Sequence, residues 1–184
     1  MKNIILKLYA IVLILSGCGS PDSSSLLTKN KTVKIGYESD DSGRYEIVNG
    51  DLNSVEIVKA YFDAYNNRDL EAVYKLEHED VLLYAPNGMM VDSSKQHLEL
   101  GKKFMETNEY AKWDIIWSIS THVNYENKPT ENWVTSGILV SSGKDEASKT
   151  TVSRVVDLMI KDGKVKKGYI HQRQLSETEN SNLK

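Results

Sequence analysis

Residues 54–88 carry the clearest pattern of apolar and polar positions in the chain. Apolar side chains first recur there at helical spacing, at Val55, Val58, Phe62 and Tyr65. Ser54 precedes this run and can accept a hydrogen bond from a first-turn backbone N–H, as N-cap residues do. The pattern predicts a helix that begins at Ser54 and ends at the corner Asn66-Asn67-Arg68, because asparagine tolerates the left-handed backbone that terminates helices.

A second helix and a strand are predicted after this corner. Asp69 can cap a short helix. The apolar positions of that helix are Leu70, Val73, Tyr74 and Leu76. The spacing then changes to a continuous extended run over residues 81–84, which Pro86-Asn87-Gly88 stops.

The remaining pattern predicts a third helix and then a sheet. Asp92-Ser93-Ser94 is a helix-cap signal. Four runs that alternate like β-strands follow, at residues 112–125, 133–141, 150–161 and 164–175. Alternation in the first of these runs places Trp113 and Trp117 on one face. Asp162-Gly163 joins the last two runs and favours a type I′ hairpin turn.

This two-residue turn sets a register for the last hairpin. Counting back from the turn places Asp157 opposite Gly168, and opposed residues share a face. One face then carries Met159, Asp157, Val155, Ser153, Gly168, Ile170 and Gln172. The other face carries Ile160, Leu158, Val156, Arg154, Val165, Tyr169, His171 and Arg173. Asp157 is therefore predicted to share a face with Ile170 and Gln172.

The start of the chain predicts delivery to the bacterial cell envelope. Lys2 and Lys7 accompany a short apolar run, and Leu15-Ser16-Gly17-Cys18 matches the lipobox of bacterial lipoproteins. The run is short for a membrane span, so residues 1–17 are interpreted as a signal peptide that is removed before Cys18. A lipid on Cys18 then anchors the protein outside the cytoplasm, in a membrane that the sequence leaves open. The alternative is an uncleaved anchor with an incidental cysteine.

The mature chain is predicted to have three parts. Residues 18–50 begin with the lipidated cysteine and a polar tether, and their strand-like runs form either a small hairpin or a linker. Residues 51–176 form the folded domain. Residues 177–184 form a polar tail.

The charge balance limits the partners. Without Lys2 and Lys7, 21 of the 23 basic residues remain against 26 acidic ones, a net charge of about −5 with neutral histidines. This charge argues against a nucleic-acid partner and against electrostatic attachment to anionic lipid, so attachment is expected through the lipid alone. Cys18 is the only cysteine, so neither an internal disulfide nor a cysteine nucleophile is expected.

Two segments carry motifs of a known superfamily. Residues 61–88 read YFDAYNNRDLEAVYKLEHEDVLLYAPNG, with a tyrosine-bearing helix, an Asn-rich corner before Asp-Leu, and Pro-x-Gly after the strand. Residues 155–165 read VVDLMIKDGKV, like a closing hairpin. Over residues 54–175 the chain therefore resembles the nuclear transport factor 2-like superfamily, in its SnoaL-like and ketosteroid-isomerase-like branch. The resemblance implies an α+β cone: a curved, mostly antiparallel sheet packed against about three N-terminal helices.

The resemblance also implies roles for three positions. In ketosteroid isomerase, a first-helix tyrosine and a late-strand aspartic acid donate hydrogen bonds to an enolate oxygen, and Tyr61 and Asp157 match them. The base of that enzyme is an aspartate beside the proline, where this chain has Ala85. Alanine cannot transfer a proton, so isomerase activity is disfavoured. Tyr61 and Asp157 remain as a polar pair in an apolar pocket.

A ligand pocket between helices and sheet follows from this resemblance. Its predicted lining is Tyr61, Tyr65, Tyr84, Trp113, Trp117, Asp157, Ile170 and Gln172. The competing interpretation is that these aromatic residues form the core and that Asp157 is a satisfied sheet residue. The candidates for a catalytic role are Tyr61, Asp157 and, as a base, His122. The four histidines lack the H-x-H and H-E-x-x-H spacings, so no metal and no other cofactor is predicted.

Three functions are compatible with the sequence, because this fold carries many. The first is binding of a small, largely apolar molecule by a lipid-anchored protein. The second is a cyclase, lyase or isomerase reaction on a carbonyl compound, with Tyr61 and Asp157 polarising the oxygen and His122 or water as base. The third is a non-catalytic module that forms a homodimer through its sheet. The missing isomerase aspartate favours the first.

Overall fold

The computed structural model describes residues 31–183, which form an eight-stranded sheet and four helices. In chain order the elements are β1 (Lys34–Asp40), β2 (Gly43–Asn49), α1 (Leu52–Asn66), α2 (Leu70–Lys75), β3 (Glu77–Tyr84), β4 (Met90–Val91), α3 (Ser94–Thr107), β5 (Tyr110–Asn124), β6 (Glu131–Gly143), β7 (Thr150–Lys161), β8 (Lys164–Gln174) and α4 (Glu177–Ser181). The predicted α+β class is confirmed. The predicted signal peptide, Cys18 and most of the tether lie outside the described residues. No helix within residues 31–183 is long and apolar enough to cross a membrane.

The strands lie side by side in the order β1-β2-β5-β6-β7-β8-β3-β4. Every described pair is antiparallel except β3 with β8, which is parallel. The strand-like runs before residue 51 form the hairpin alternative rather than a linker, and β2 extends the sheet by pairing with β5. The sheet therefore begins before residue 51, and the predicted tail contains the short helix α4.

The boundaries of α1 and α2 follow from side-chain caps. The predicted cap of α1 at Ser54 is wrong, because the Asp51 carboxylate accepts a hydrogen bond from the Ser54 backbone N–H at 2.9 Å and α1 starts at Leu52. Asp69 caps α2 as predicted. Arg68 occupies the corner between the helices with a φ of 58°, in the left-handed region.

One face of the sheet, the inner face, packs against helices α1–α3 around the core. The buried core includes Val58, Phe62, Val81, Val134, Ile138, Leu158 and Val165. The opposite face, the outer face, carries Trp117, Ile119, Thr135, Gly137, Val155, Asp157, Tyr169 and His171. Ile119 and Val155 are exposed there.

The β7–β8 turn has the predicted form. Asp162 and Gly163 have φ values of 50° and 75°, as a type I′ turn requires at both central positions. Lys161 pairs with Lys164 across the turn, as counted from the sequence.

A β-bulge just beyond this turn reverses the predicted faces. The ladder shifts by one residue between Ile160 and Met159, so Asp157 pairs with Tyr169 and not with Gly168. One extra residue in β8 moves every later partner to the other side of the strand. The prediction that Asp157 shares a face with Ile170 is therefore wrong. The β7 residues on the inner face with Ile170 are Arg154, Val156 and Leu158.

Candidate functional site

Three elements bring polar side chains together at one wall of the space between helices and sheet. Tyr61 and Tyr65 lie one turn apart on α1, so both project from the same side of that helix. Glu77 is the first residue of β3, and His97 lies in the first turn of α3. Ser93 caps α3 and fixes where that turn begins. The four side chains form what we call the Glu77 cluster.

A continuous chain of hydrogen bonds links the Glu77 cluster. Glu77 Oε1 accepts a hydrogen bond from the Tyr61 hydroxyl at 2.5 Å and lies 2.6 Å from His97 Nδ1. His97 Nε2 lies 3.0 Å from the Tyr65 hydroxyl. If Glu77 Oε1 is the acceptor in this contact, His97 Nδ1–H is the donor. In the neutral imidazole, Nε2 then accepts a hydrogen bond from the Tyr65 hydroxyl.

Burial keeps the phenols of the cluster protonated. Loss of solvent raises the pKa of Tyr61 well above its ordinary value, and the nearby Tyr65 and Glu77 raise it further. Burial likewise raises the pKa of Tyr65, and Glu77 adds to this, whereas the positive charge of Arg154 opposes it. Glu77 is only 2% exposed, and its Oε2 has no hydrogen-bond partner among residues 31–183. Both tyrosines are therefore hydrogen-bond donors at any physiological pH.

Three members of the Glu77 cluster, Tyr61, Tyr65 and His97, line a cavity of about 340 Å³. Four predicted pocket residues, Tyr61, Tyr65, Trp113 and Ile170, line it. The other lining residues are Phe62, Leu83, Ala85, Met89, Val91, His97, Leu100, Gly101, Phe104, Ile138, Arg154, Val156 and Leu158. The Trp113 ring packs 4.9 Å from Tyr65 and 5.9 Å from Phe104, between centroids. The cavity is thus mostly apolar, and its volume suits a small ligand.

Arg154 places a positive charge in this apolar lining. The side chain is half-buried, and its Nε donates a hydrogen bond to Gln172 Oε1 at 2.9 Å. Burial lowers the pKa of Arg154, and Tyr65 partly offsets this effect. Within the described part of the chain, no carboxylate lies within the 4.0 Å of an ion pair with Arg154.

Asp157 does not reach the cavity, contrary to the prediction. It alternates along β7 with the buried Val156 and Leu158 and so lies on the outer face, where it accepts a hydrogen bond from the Thr135 hydroxyl at 2.8 Å. Burial raises the pKa of Asp157, although Thr135 and His171 both lower it. The polar pair of Tyr61 and Asp157 implied by the isomerase resemblance is therefore not formed, because the two side chains lie on opposite sides of the sheet.

Tyr84 and Trp117 also lie outside the cavity. Tyr84 pairs with Tyr169 across β3 and β8, and their rings stack on the outer face at 5.0 Å between centroids. A bulge between Ile115 and Trp117 turns Trp117 outward, where its ring covers Gly137. The predicted common face of Trp113 and Trp117 is wrong for the same reason as in β8: an extra residue interrupts the alternation.

Two further candidates have supporting rather than lining positions. Gln172 lies on the inner-face side of β8 and holds Arg154, but it is not part of the cavity lining. His122 Nε2 lies 3.3 Å from the Asp51 carboxylate, at the start of α1. It therefore cannot act as a base in the cavity without a large rearrangement.

The sequence interpretation missed Glu77, His97 and Arg154, although each carried a signal. Glu77 lies at even spacing from Val81 and Leu83, which strand alternation places on the core side, although the intervening Glu79 is exposed. His97 precedes Leu100 and Phe104 at helical spacing, which places all three on one side of α3. Arg154 alternates with Val156 and Leu158. In each case, a polar residue at a position of an otherwise apolar face indicated a candidate functional residue.

The position that the isomerase resemblance assigns to a base lies in the cavity wall. Ala85, which replaces that base, lines the cavity, and its backbone N–H donates to the Met89 carbonyl at 2.8 Å. Within residues 31–183, no three His, Cys, Asp or Glu side chains are grouped closely enough to hold a metal ion. The groups that could exchange a proton with a ligand are His97 and Tyr65.

A second depression lies on the outer face. It has a volume of about 480 Å³ and borders Trp117, Val155 and Leu175. Its Arg173 already forms an ion pair with Glu179 at 2.6 Å. The cavity beneath the helices contains polar groups that are still available, so it is the candidate functional site.

Comparison with known proteins gives matches at the level of structure only. No family model matches the sequence, and no curated protein matches it. A Catenulispora acidiphila DSM 44928 protein with a ketosteroid isomerase-like fold, solved in complex with trimethylamine, is similar over 66% of this chain and 87% of its own, with 15% identity and a TM-score of 0.52. A Mycobacterium tuberculosis LEH-like epoxide hydrolase is similar over 66% of this chain and 83% of its own, with 11% identity and a TM-score of 0.52.

A third similar structure comes from Kribbella flavida DSM 17836 and is named after ketosteroid isomerase. The similarity covers 68% of this chain and 81% of that protein, with 17% identity and a TM-score of 0.51. At these identities the likeness establishes the fold alone. The chain thus has a ketosteroid isomerase-like fold.

Proposed function

We propose that this protein binds a small, largely apolar molecule in the cavity between its helices and its sheet. The observation that carries the proposal is the composition of the cavity wall. Apolar side chains form most of the lining. Among the polar lining residues, Tyr65 and His97 lie at hydrogen-bond distance from each other, and the charge of Arg154 lowers the pKa of Tyr65 against the effect of burial. Binding pockets for small molecules have this composition, in which apolar area gives affinity and a few polar groups fix orientation.

Similar folds support a ligand role. The Catenulispora acidiphila protein was solved in complex with trimethylamine, and the Mycobacterium tuberculosis protein is an epoxide hydrolase, so both handle small molecules. The nature of the ligand has to come from the residues of this chain, because pocket residues decide chemistry within one fold.

Filling the cavity tests the proposal. Native mass spectrometry of the full chain, purified from its source, is expected to show a small-molecule adduct that Ala85→Phe reduces at least tenfold. The reason is that a phenyl ring at position 85 occupies the space of a ligand. Ala147→Phe adds the same ring at an exposed position between β6 and β7 and is expected to leave the adduct unchanged. Equal adduct in both variants, or none in the wild type, contradicts binding in this cavity.

We further propose that the binding domain is anchored at the bacterial cell envelope through Cys18. The support is the lipobox Leu15-Ser16-Gly17-Cys18 after a short apolar run. The same spectra report this anchor, because cleavage before Cys18 and lipid addition change the mass of the chain.

The spectra also report the oligomeric state. Homodimerisation through the outer face is supported by the exposed side chains of Trp117, Ile119 and Val155.

The second candidate function is proton transfer on a bound carbonyl compound. The observation in its favour is the hydrogen-bonded series Glu77, His97 and Tyr65, which ends at the cavity. Glu77 orients the imidazole, as a carboxylate does for a histidine base. When the Tyr65 hydroxyl donates its hydrogen bond to the carbonyl oxygen of a ligand, it no longer donates to His97 Nε2. That nitrogen can then accept a proton from the ligand carbon beside the carbonyl group.

Deuterium exchange tests this second function. In D₂O, the full chain is expected to accelerate deuterium exchange at the carbon beside the carbonyl of 2-tetralone. His97→Gln is expected to reduce the protein-catalysed exchange rate at least 100-fold. His171→Gln removes an exposed outer-face imidazole and is expected to have no effect. Exchange at the buffer rate with the wild-type protein leaves binding as the only supported function.

A further inference from the structure

The charge inside the cavity is the reverse of the one that the sequence predicted. Asp157, expected in the pocket, lies on the outer face, and Arg154 occupies the inner face. Among the described residues, the cavity lining contains no aspartate and no glutamate. Arg154 is therefore the one lining residue there that carries a permanent charge.

The contacts of Arg154 leave its binding edge available. Gln172 Oε1 accepts the Nε hydrogen bond at 2.9 Å, which orients the planar guanidinium group. Within residues 31–183, the two terminal nitrogens make no hydrogen bond to protein. A guanidinium group presents these nitrogens as a fork that matches the two oxygens of a carboxylate.

The carboxylate of the Glu77 cluster makes no ion pair with Arg154, because no carboxylate among residues 31–183 lies within 4.0 Å of the guanidinium group. Its Oε1 already accepts from Tyr61 and lies at hydrogen-bond distance from His97, and Tyr65 stands next in the series. Arg154 instead acts on Tyr65, whose pKa its charge lowers against the effect of burial. A half-buried cation without a counter-ion is unfavourable, and an anionic ligand would remove this penalty.

We infer that the molecule bound in this cavity is a small apolar acid whose carboxylate pairs with the Arg154 guanidinium group. This inference rests on the proposed binding function and specifies its ligand class. A single permanent cation suits a monoanion. A phosphate monoester carries between one and two negative charges near neutral pH and would leave part of its charge unpaired.

Matched pairs of probes test the inference. Binding of naphthalene-2-carboxylate, naphthalene-2-carboxamide and 2-naphthyl phosphate to the full chain is measured by calorimetry against a protein-free blank. The carboxylate is expected to bind about tenfold more tightly than the carboxamide and more tightly than the phosphate. Arg154→Met is expected to abolish the preference for the carboxylate over the carboxamide.

Two further variants control for folding and for general charge. Arg154→Lys keeps the charge but loses the fork, so part of the preference should remain. Lys167→Met removes a positive charge from the outer face of β8 and should leave the preference intact. Equal affinity for carboxylate and carboxamide, or tighter binding of the phosphate, overturns the carboxylate assignment but not the binding function. Failure of all three probes to bind overturns both.

Discussion

Replacing Glu77 by alanine is expected to lower the free energy of unfolding by about 3 kcal/mol. The carboxylate is 2% exposed, and its Oε1 serves both Tyr61 and His97. Alanine leaves a buried phenol without its acceptor and opens a void where the longer side chain was. Chemical denaturation of the full chain measures the change, with the midpoint falling at an unchanged slope.

Two variants separate the buried position of Glu77 from its charge. Glu79→Ala removes an exposed carboxylate from the same strand and is expected to change stability by less than about 0.5 kcal/mol. Glu77→Gln retains an oxygen that Tyr61 and His97 can use, so its loss should lie between the other two. An alanine variant as stable as the wild type would show that the Glu77 cluster does not hold its three elements together.

This stability bears directly on the candidate function. The Glu77 cluster connects α1, β3 and α3, which carry eight of the seventeen residues that line the cavity. Fixing these elements before a ligand arrives reduces the ordering that binding requires. A cavity wall that is rigid through buried hydrogen bonds therefore serves binding and proton transfer alike.

Much of the fold could be predicted because local patterns determine it. The apolar period of α1, the Asp69 cap and the Asp162-Gly163 turn each depend on neighbouring residues only, and the structure confirms all three. The cap of α1 lies three residues before the predicted Ser54, at Asp51, because serine and aspartate are both good caps.

The faces of the last hairpin could not be predicted by simple counting. Val165 and Ile170 are five residues apart, and strict alternation puts them on opposite faces, yet both are on the inner face. The consecutive lysines Lys166 and Lys167 accommodate the bulge that makes this arrangement fit. Two apolar residues at odd spacing were thus a sign of the bulge, and that bulge places Ile170 rather than Tyr169 on the inner face.

The Glu77 cluster was beyond sequence reasoning for a different reason. Periodicity can place Glu77 and His97 on inward sides of their own elements, but their contact depends on how α3 crosses β3. That crossing is set by tertiary packing. The pairing of two polar residues 20 positions apart therefore becomes visible only in the structure.

Replacing Gly50 by alanine is expected to destabilise the fold by about 3 kcal/mol. Gly50 links β2 to the cap of α1, and its backbone N–H donates to the Ser120 carbonyl at 2.8 Å. A Cβ there would lie 2.6 Å from the Ser120 carbonyl carbon and 2.7 Å from the Thr121 nitrogen. These are backbone atoms of β5, which pairs with β2 on one side and β6 on the other, so they cannot move aside cheaply.

Gly36→Ala is the matched control for this prediction. The comparison separates the steric cost of the added Cβ from the general effect of replacing a glycine. Gly36 lies in β1 of the same hairpin, and an added Cβ there would be 3.9 Å from its nearest neighbour, the Ile47 Cβ. Both changes reduce the entropy of the unfolded chain equally, so any difference comes from the folded state. Equal denaturation midpoints for the two variants would mean that β2 and α1 can separate from β5 at little cost. A large gap between them means that Gly50 locks the N-terminal hairpin and the start of α1 onto the sheet that carries the cavity.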